Sequence, residues 1–396
     1  MRIAAAIIVI SSVTASAFAQ QQSSFQLHGF LSGRAIYVRS QPSWTEHGLG
    51  RFDVGAKNAD DTRIVNLDVA QLGFDWAPTS WLLLHADGVA RHEPSGTAGS
   101  RAGLVQGFFD LFTERLRLRV GSFWLPTSRE NVDLLWTSPY TITYSALNTW
   151  MGEEVRPIGA DLQFSPNFYF TMGATAFRGN DTMGTLLAGR GWTFGNRLTV
   201  FNETVALPPP DLITKPIGRD LDSRTGFSER VRLQVPEQLV LQVAHVDNRA
   251  RVLPGEPPDV PWATRFNVVS FDAGQSAPTT VAAEYAKGNT TLGFPGGTFT
   301  LDFSTAYLLV CRKQGPNRYT TRIERFSTRG HLRIPNDPQR ESGKAVTIAW
   351  LHDVNEHIRS GLEYARVDGD RPGAAAAGLD TRASGSTITV ELRYRF

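Results

Sequence analysis

The chain has 396 residues, and its 40 basic residues against 38 acidic ones give a formal net charge of +2. This near-balance leaves no electrostatic case for nucleic acid as a partner, because nucleic-acid-binding surfaces carry an excess of positive charge. The single cysteine, Cys311, cannot form an internal disulfide, so the fold does not depend on one.

The first residues have the pattern of a secretory signal peptide. Arg2 supplies a positive start, residues 3–10 form an apolar core, and Ala17-Phe18-Ala19 is a small-x-small cleavage site. The apolar run is shorter than the roughly 18 residues that a transmembrane helix needs, and no later stretch reaches that length. We therefore predict a signal peptide over 1–19 and an exported domain over 20–396.

Alternation of apolar and polar residues dominates the rest of the chain. In the last stretch, Ile388, Val390 and Leu392 share one face of an extended strand, while Thr389 and Glu391 share the other. Such segments of about ten residues are separated in turn by very short and by longer polar connections, as in membrane barrels. The predicted strands are approximately 25–39, 63–76, 81–91, 102–112, 116–124, 156–164, 168–178, 227–235, 239–248, 264–273, 280–289, 298–312, 319–328, 345–353, 358–367 and 386–396.

These segments predict an all-β fold, a transmembrane antiparallel β-barrel of about 16 strands with long external loops and short periplasmic turns. The even count places both termini at the periplasmic end. The segment 63–76 fits least well, because its apolar residues lie on one face up to Val69 and on the other from Leu72. It needs a bulge or a different environment near its end.

Two long connections stand out. The connection 179–226 is predicted to be an external loop, whereas 125–155 is unusually apolar and carries aromatic residues that solvated loops rarely expose together. An inward fold of 125–155 would pack its apolar residues on the barrel wall and turn its charges to the pore. The alternative is packing over the rim or into a neighbouring subunit. The predicted constriction residues are Arg129, Glu130, Asp133, Trp136, Tyr140, Trp150, Glu153, Glu154 and Arg156.

The chain resembles the phosphate-selective porin O/P-type group and related sixteen-stranded diffusion porins of Gram-negative bacteria. The resemblance rests on the signal peptide, the strand alternation, the terminal Phe396 and the stretch Val120-Gly121-Ser122-Phe123-Trp124-Leu125-Pro126. It implies a trimeric passive channel whose third external loop folds into the lumen and narrows it. Phosphate-selective members line the pore with arginines and lysines. This chain departs from them, since it has very few lysines and none in 125–155.

We expect a passive channel for small hydrophilic solutes in the outer membrane, not an enzyme. The sequence contains no His-Glu-x-x-His, Gly-x-Ser-x-Gly, phosphate-loop or paired-cysteine motif. His85 and Asp87 share a strand face, but a solvated lumen wall explains them better than a metal or acid/base site. The alternatives are a receptor or adhesin barrel that binds through 179–226, and an outer-membrane lipid hydrolase.

The expected partners are outer-membrane lipid and lipopolysaccharide, the barrel-assembly machinery, small hydrophilic solutes and, in a homotrimer, further copies of this chain. No cofactor, metal or nucleic acid is expected.

Strand alternation also predicts which charges line the pore. Arginines exceed acids on the lumen face, and a low-dielectric wall focuses that positive field, so we predict a mild preference for anions such as organic acids. If the acids of 125–155 instead form the narrowest point, the preference becomes cationic. The predicted pore-lining residues are Arg117, Arg119, Arg230, Arg232, Arg322, Arg393, Arg395, Glu324, Glu363 and Glu391.

Overall fold

The computed structural model describes residues 24–93, 99–207, 213–255, 260–331, 340–378 and 380–396, so the predicted signal peptide lies outside the described residues. Among the residues described, no helix is long and apolar enough to cross a membrane. The described α-helices are α1 (Ala146–Glu154) and α2 (Thr185–Arg190), and short 3-10 helices span Trp44–Glu46, Leu134–Trp136 and Pro372–Ala377. The strands are β1 (Ser24–Arg39), β2 (Thr62–Thr79), β3 (Leu82–His92), β4 (Ala102–Phe112), β5 (Leu116–Ser122), β6 (Ile158–Phe164), β7 (Phe170–Arg178), β8 (Val205–Ala206), β9 (Ile213–Thr214), β10 (Gly226–Val235), β11 (Leu239–Asp247), β12 (Trp262–Ala273), β13 (Thr279–Phe294), β14 (Gly297–Gln314), β15 (Asn317–Gly330), β16 (Arg340–Asp353), β17 (Ile358–Asp370) and β18 (Gly385–Arg395).

Sixteen of the described strands close into one antiparallel barrel, which confirms the predicted fold class. Each strand pairs with its neighbours in the chain, except that β7 pairs with β10 and the short strands β8 and β9 form a separate hairpin. Pairing of β1 with β18 closes the barrel. Closure leaves no edge strand in the barrel, so each of its sixteen strands has two partners for its backbone hydrogen bonds.

The two ends of the barrel differ. Ser24 and Phe396 lie at one end, here called the terminal end, where the connections between strands are short. The longer connections lie at the opposite end, here called the loop end. Three of them position the site: L1 (residues 40–61), L3 (residues 123–157) and L4 (residues 179–225).

The outer wall of the barrel is apolar. On β18, Val390 is 54% exposed and Leu392 is 60% exposed, whereas Thr389 and Glu391 beside them are buried inside the barrel. Exposed aromatic residues collect at the terminal end: Trp76, Trp81, Tyr319, Trp350, Tyr394 and Phe396. An apolar band with an aromatic girdle is the surface that a lipid bilayer covers, since water-facing walls do not carry such a continuous patch.

The change of face in β2 comes from its surroundings, not from a bulge. The strand keeps one unbroken register with β1 from Thr62 to Ala77, and its register with β3 shifts only after Trp76, beyond the change of face. Val65 and Leu67 point into the barrel and belong to one buried cluster with Val54 of L1, while Leu72 and Trp76 point outward. The inward face of β2 is therefore apolar toward the loop end because L1 folds over it.

The largest apolar cluster lies inside the barrel, toward the loop end. Phe266 of β12, Phe303 of β14 and Phe326 of β15 point inward and form one cluster with Trp150 of L3 and Trp192 of L4. The ring of Trp150 lies edge-on to Phe266 and Phe303, with centroid distances of 5.1 and 5.3 Å. Burying each such side chain stabilises the fold by roughly 1.5–3 kcal/mol. This half of the barrel is thus filled by packed loops.

Candidate channel lumen

The structure places the ten predicted pore-lining residues on the inward faces of their strands, but it gives them different surroundings. Some are enclosed by L3, and others face the lumen near the terminal end. The inward residues are Arg117 and Arg119 on β5, Arg230 and Arg232 on β10, Arg322 and Glu324 on β15, Glu363 on β17, and Glu391, Arg393 and Arg395 on β18.

Carboxylates of the wall hold L3 across the barrel. Glu363 accepts a hydrogen bond from the backbone N–H of Ile142 at 2.6 Å, and Glu324 accepts one from Ala146 at 2.9 Å. Glu363 is 1% exposed and Glu324 is 5% exposed. Neither carboxylate meets water in the lumen, so both anchor the loop backbone instead of lining a pore as predicted.

Arg322 makes the central contact between the wall and L3. Its NH1 atom lies 2.8 Å from Oε1 of Glu130, and its Nε atom lies 2.7 Å from Oε1 of Glu324. It also donates hydrogen bonds to the backbone oxygens of Thr143 and Tyr144. Because Arg322 and Glu130 are fully buried, they fix the position of L3 and do not face a solute.

The start of L3 is tied to the opposite wall. The guanidinium of Arg129 lies 2.7 Å from the carboxylate of Asp272, and its backbone N–H donates to Glu284 at 2.5 Å. The Arg129 side chain keeps 17% of its surface exposed. Three further predicted constriction residues, Asp133, Trp136 and Tyr140, are half-buried. These four residues of L3 remain at the boundary of the lumen.

L4 encloses the C-terminal end of α1. Glu154 accepts hydrogen bonds from the Thr185 hydroxyl at 2.7 Å and from the backbone N–H of Leu186 at 3.0 Å. The indole N–H of Trp150 donates to the other carboxylate oxygen of Glu154 at 2.6 Å. The side chain of Glu154 thereby satisfies a backbone donor in the first turn of α2. We call L3 and L4, where they fill the barrel together, the plug.

The remaining predicted constriction residues also lie inside the plug. Glu153 forms an ion pair with Arg190 of α2, and the Arg156 guanidinium lies 4.9 Å from the ring centroid of Trp124. Burial raises the pKa of Glu153 to about 8 and lowers the pKa of Arg156 to about 9. Trp150, Glu153, Glu154 and Arg156 are each at most 1% exposed, so in this structure they do not form a constriction open to solutes.

Toward the terminal end, arginines of the wall face acids one or two strands away. Arg117 and Arg119 both bind Asp110, at 2.5 and 2.9 Å, and keep 29% and 22% of their side-chain surface exposed. Arg230 binds both carboxylate oxygens of Asp161, at 2.6 and 2.9 Å. Most of this positive charge is therefore balanced locally, which reduces the net field of the terminal half.

The sequence prediction did not single out these acids. Asp110, Asp161, Asp272 and Asp353 lie on inward faces beside Arg117, Arg230, Arg129 and Arg395 respectively. The signal that could have found them is the same alternation that placed the arginines. On such a face, an acid one or two strands away lies within reach of a long arginine side chain.

A cavity lies between L3 and the wall formed by β1, β2 and β3. Phe30 and Arg393 line it on the terminal side, and residues of L1, L4 and the end of β3 line it on the loop side. Burial raises the pKa of Asp53 in L1. The charged lining residues are Arg34, Arg91, Arg197 and Arg393 against Asp53 and Glu93.

Known structures share this architecture. The outer-membrane channel DcaP of Acinetobacter baumannii matches with a TM-score of 0.59 and 11% identity over 95% of this chain and 98% of that chain. An anion-selective porin from Comamonas acidovorans matches with a TM-score of 0.57 and 10% identity over 95% and 100%. The trimer form of OmpT, an outer-membrane protein of Vibrio cholerae, matches with a TM-score of 0.56 and 9% identity over 95% and 100%.

The fold is that of a sixteen-stranded porin. No family model and no curated protein matches the sequence. The similarity to these three structures, at 9–11% identity, therefore lies in the fold of the barrel.

Proposed function

We propose that the protein is an outer-membrane porin, a passive diffusion channel for small hydrophilic solutes. Support comes from the closed barrel, the apolar outer wall and the charged residues on the inner wall. We propose that solutes pass along β1, β2 and β3, where the cavity lies beside the plug. A route of this kind selects by size and lining charge and needs no catalytic group.

The lining of the cavity favours anions over cations. Its four arginines exceed its two acids, and the low-dielectric barrel wall focuses the excess positive field on the solute path. This excess on the lining carries the proposed anion preference. Ion pairs of Arg91 and Arg197 with Glu203, and of Arg393 with Glu391, balance part of it, as aspartates balance the arginines of the terminal half. The test is the reversal potential of single channels in planar bilayers under a salt gradient. An anion-selective value supports the proposal, and a cation-selective value overturns it.

Small organic acids are the solute class that we propose. Trp136 and Tyr140, which border the lumen outside the lining of the cavity, retain exposed surface and could stack on a planar carboxylate solute, whereas Trp150 is 1% exposed and is closed to solutes. Phosphate selectivity finds less support, because the phosphate-selective porins that the chain resembles use lysines as well as arginines, whereas L3 contains no lysine. Measuring how strongly benzoate, acetate and inorganic phosphate each reduce the chloride current would rank the three anions.

We further propose that the barrel resides in the outer membrane, in contact with lipid and lipopolysaccharide, and assembles as a homotrimer. Its apolar outer wall and the trimer form of the structurally similar OmpT of Vibrio cholerae support this assembly. Chemical cross-linking in native membranes would test it. The receptor or adhesin alternative finds less support, since Met183, Leu186, Trp192 and Phe194 of L4 are buried in the barrel and not displayed.

A further inference from the structure

Two histidines and an aspartate converge on the lumen wall near the terminal end. His28 of β1, Asp75 of β2 and His85 of β3 become neighbours because His28 lies opposite Gly73, while Asp75 lies opposite His85. The Asp75 carboxylate is 3.5 Å from Nδ1 of His28 and 2.7 Å from Nδ1 of His85. One ligand atom from each residue lies within 4.8 Å of the other two.

A second layer of polar contacts orients His85. Its Nε2–H donates to Asp87 at 3.0 Å, and the other oxygen of Asp87 accepts a hydrogen bond from Nε2 of Gln71 at 3.1 Å. This arrangement commits Nε2 of the ring to Asp87 and directs Nδ1 toward Asp75 and His28. A carboxylate that binds the distal nitrogen of a histidine in this way is the usual support of a metal-ligating imidazole.

The site has space and access to water. A Cβ atom at Gly73 would lie 2.5 Å from Nε2 of His28, so the glycine provides the room in which the His28 ring lies. The side chains of His28, Asp75 and His85 retain 18%, 26% and 10% of their surface exposed to the lumen. An ion from the lumen can therefore reach the three ligand atoms and keep water on its open coordination positions.

We propose that His28, Asp75 and His85 form a binding site for a divalent transition-metal ion of the Zn²⁺ class. Two imidazole nitrogens and one carboxylate oxygen suit borderline ions such as Zn²⁺, Ni²⁺ and Cu²⁺, whereas Ca²⁺ and Mg²⁺ prefer oxygen ligands alone. When the ion binds, Nδ1 of His85 coordinates it, and the proton that this nitrogen shares with Asp75 passes to water. Asp87 keeps its hydrogen bond to Nε2.

The bound ion would lie beside the route that we propose for solutes. Gln71, which holds Asp87, lines the cavity and also donates to the backbone oxygen of Leu135 in L3 at 3.2 Å. An ion at this site adds positive charge near the terminal end of the cavity, so it strengthens the preference for anions. This consequence rests on the proposed channel function, whereas metal binding itself does not.

The test is metal binding to the full-length folded protein in detergent. Calorimetric titration with Zn²⁺ should give one ion per chain, and Co²⁺ should give a visible absorption band that Zn²⁺ abolishes and Ca²⁺ does not. His28→Ala should weaken Zn²⁺ binding at least about tenfold, and Asp87→Asn should weaken it about 10–100-fold. The matched control is His331→Ala, which removes a histidine from an exposed His–Asp pair elsewhere on the barrel and should leave binding unchanged.

Heat-modifiable migration on gels shows whether each variant is folded. His85→Gln serves as a further variant, and if it does not fold, His28→Ala and Asp87→Asn still decide the question. The proposal is overturned if the folded wild type binds no Zn²⁺ at micromolar concentrations, if folded His28→Ala binds as well as wild type, or if His331→Ala weakens binding equally. A protein that binds one Zn²⁺ but conducts no ions would uphold the site and contradict the channel.

Discussion

NH1 of Arg322 and Oε1 of Glu130 lie 2.8 Å apart in the barrel interior, and both side chains are fully buried. The pair joins the wall strand β15 to L3. Replacing Arg322 with methionine leaves Glu130 and Glu324 without their common cation, and breaking a buried pair from one side costs about 3–5 kcal/mol. We expect Arg322→Met to lower the temperature at which the barrel loses its heat-modifiable migration and to raise single-channel conductance as L3 loosens.

Arg325→Met is the matched control for that variant. Arg325 lies on the same strand with its side chain exposed on the outer face. Its loss should therefore change neither the unfolding temperature nor the single-channel conductance. Equal unfolding temperatures for wild type and Arg322→Met would show that the buried pair does not hold L3.

The pH dependence of the plug follows from Glu154. Burial raises the pKa of this carboxyl, so the folded protein holds its proton more tightly than the unfolded chain does. The stabilisation that this protonated carboxyl gives the folded protein is fully present below the ordinary glutamate pKa of about 4.3. It is lost as pH rises through the raised pKa. Glu153, whose pKa burial raises to about 8, acts in the same direction.

We therefore expect conductance to increase as pH rises from the ordinary glutamate value to about 8, because the plug loosens. Glu154→Gln should flatten part of this dependence, since the amide does not titrate. Glu356→Gln, at an exposed turn, should keep the full dependence. A conductance that falls with rising pH in the wild type would refute this account of the plug.

Val390 tests the lipid-facing side of the barrel. Its side chain is 54% exposed on the outer wall of β18, and an arginine on the lipid face near the bilayer midplane costs about 2–4 kcal/mol. Val390→Arg should lower folding stability in lipid vesicles by an amount in that range, while the uncharged Val390→Met should stay near wild type. Leu118→Arg on β5 should behave like Val390→Arg. If the arginine and methionine variants unfold together, the outer wall does not face lipid.

Phe396 tests closure of the barrel. Its backbone N–H donates to the oxygen of Gly29 at 3.1 Å, and its oxygen accepts from the N–H of Gly29 at 3.0 Å. Deleting Phe396 removes this last pair between β1 and the end of the chain, so we expect less assembled protein in the outer membrane. Phe396→Tyr keeps both hydrogen bonds and the ring and should assemble normally. Normal yield and heat-modifiable migration of the deletion would contradict this role.

Alternation along the chain was sufficient to predict the barrel and the inward faces of its strands. The prediction depends on a local property, because successive side chains of a strand point to opposite faces. It worked for Arg117 and for Glu363 alike, since both lie on inward faces. Alternation could not tell that Arg117 meets the lumen whereas Glu363 is covered by L3, because what stands opposite a wall residue is decided by loops far away in the sequence.

The inward packing of L4 could not be predicted from the strand alternation either. It depends on Trp192 meeting Trp150 and Phe303 across the barrel, contacts that join distant parts of the chain. The aromatic residues on the inward faces of β12, β14 and β15 were the available signal. A wall that faces water rarely carries large apolar side chains such as Phe266, Phe303 and Phe326. Apolar residues on a face predicted to be wet thus indicate that loops fill the barrel there.

The reversal potential of single channels under a salt gradient tests the central claim most directly. Arg34 and Arg393 both line the cavity, and neutralising them in the double variant Arg34→Gln with Arg393→Gln removes half of its arginines. The control double variant, Arg325→Gln with Arg366→Gln, removes the same charge from the exposed outer face. We predict an anion-selective wild type, a shift toward cations in the cavity variant and no shift in the control. A cation-selective wild type, or a folded cavity variant with an unchanged reversal potential, would contradict the account.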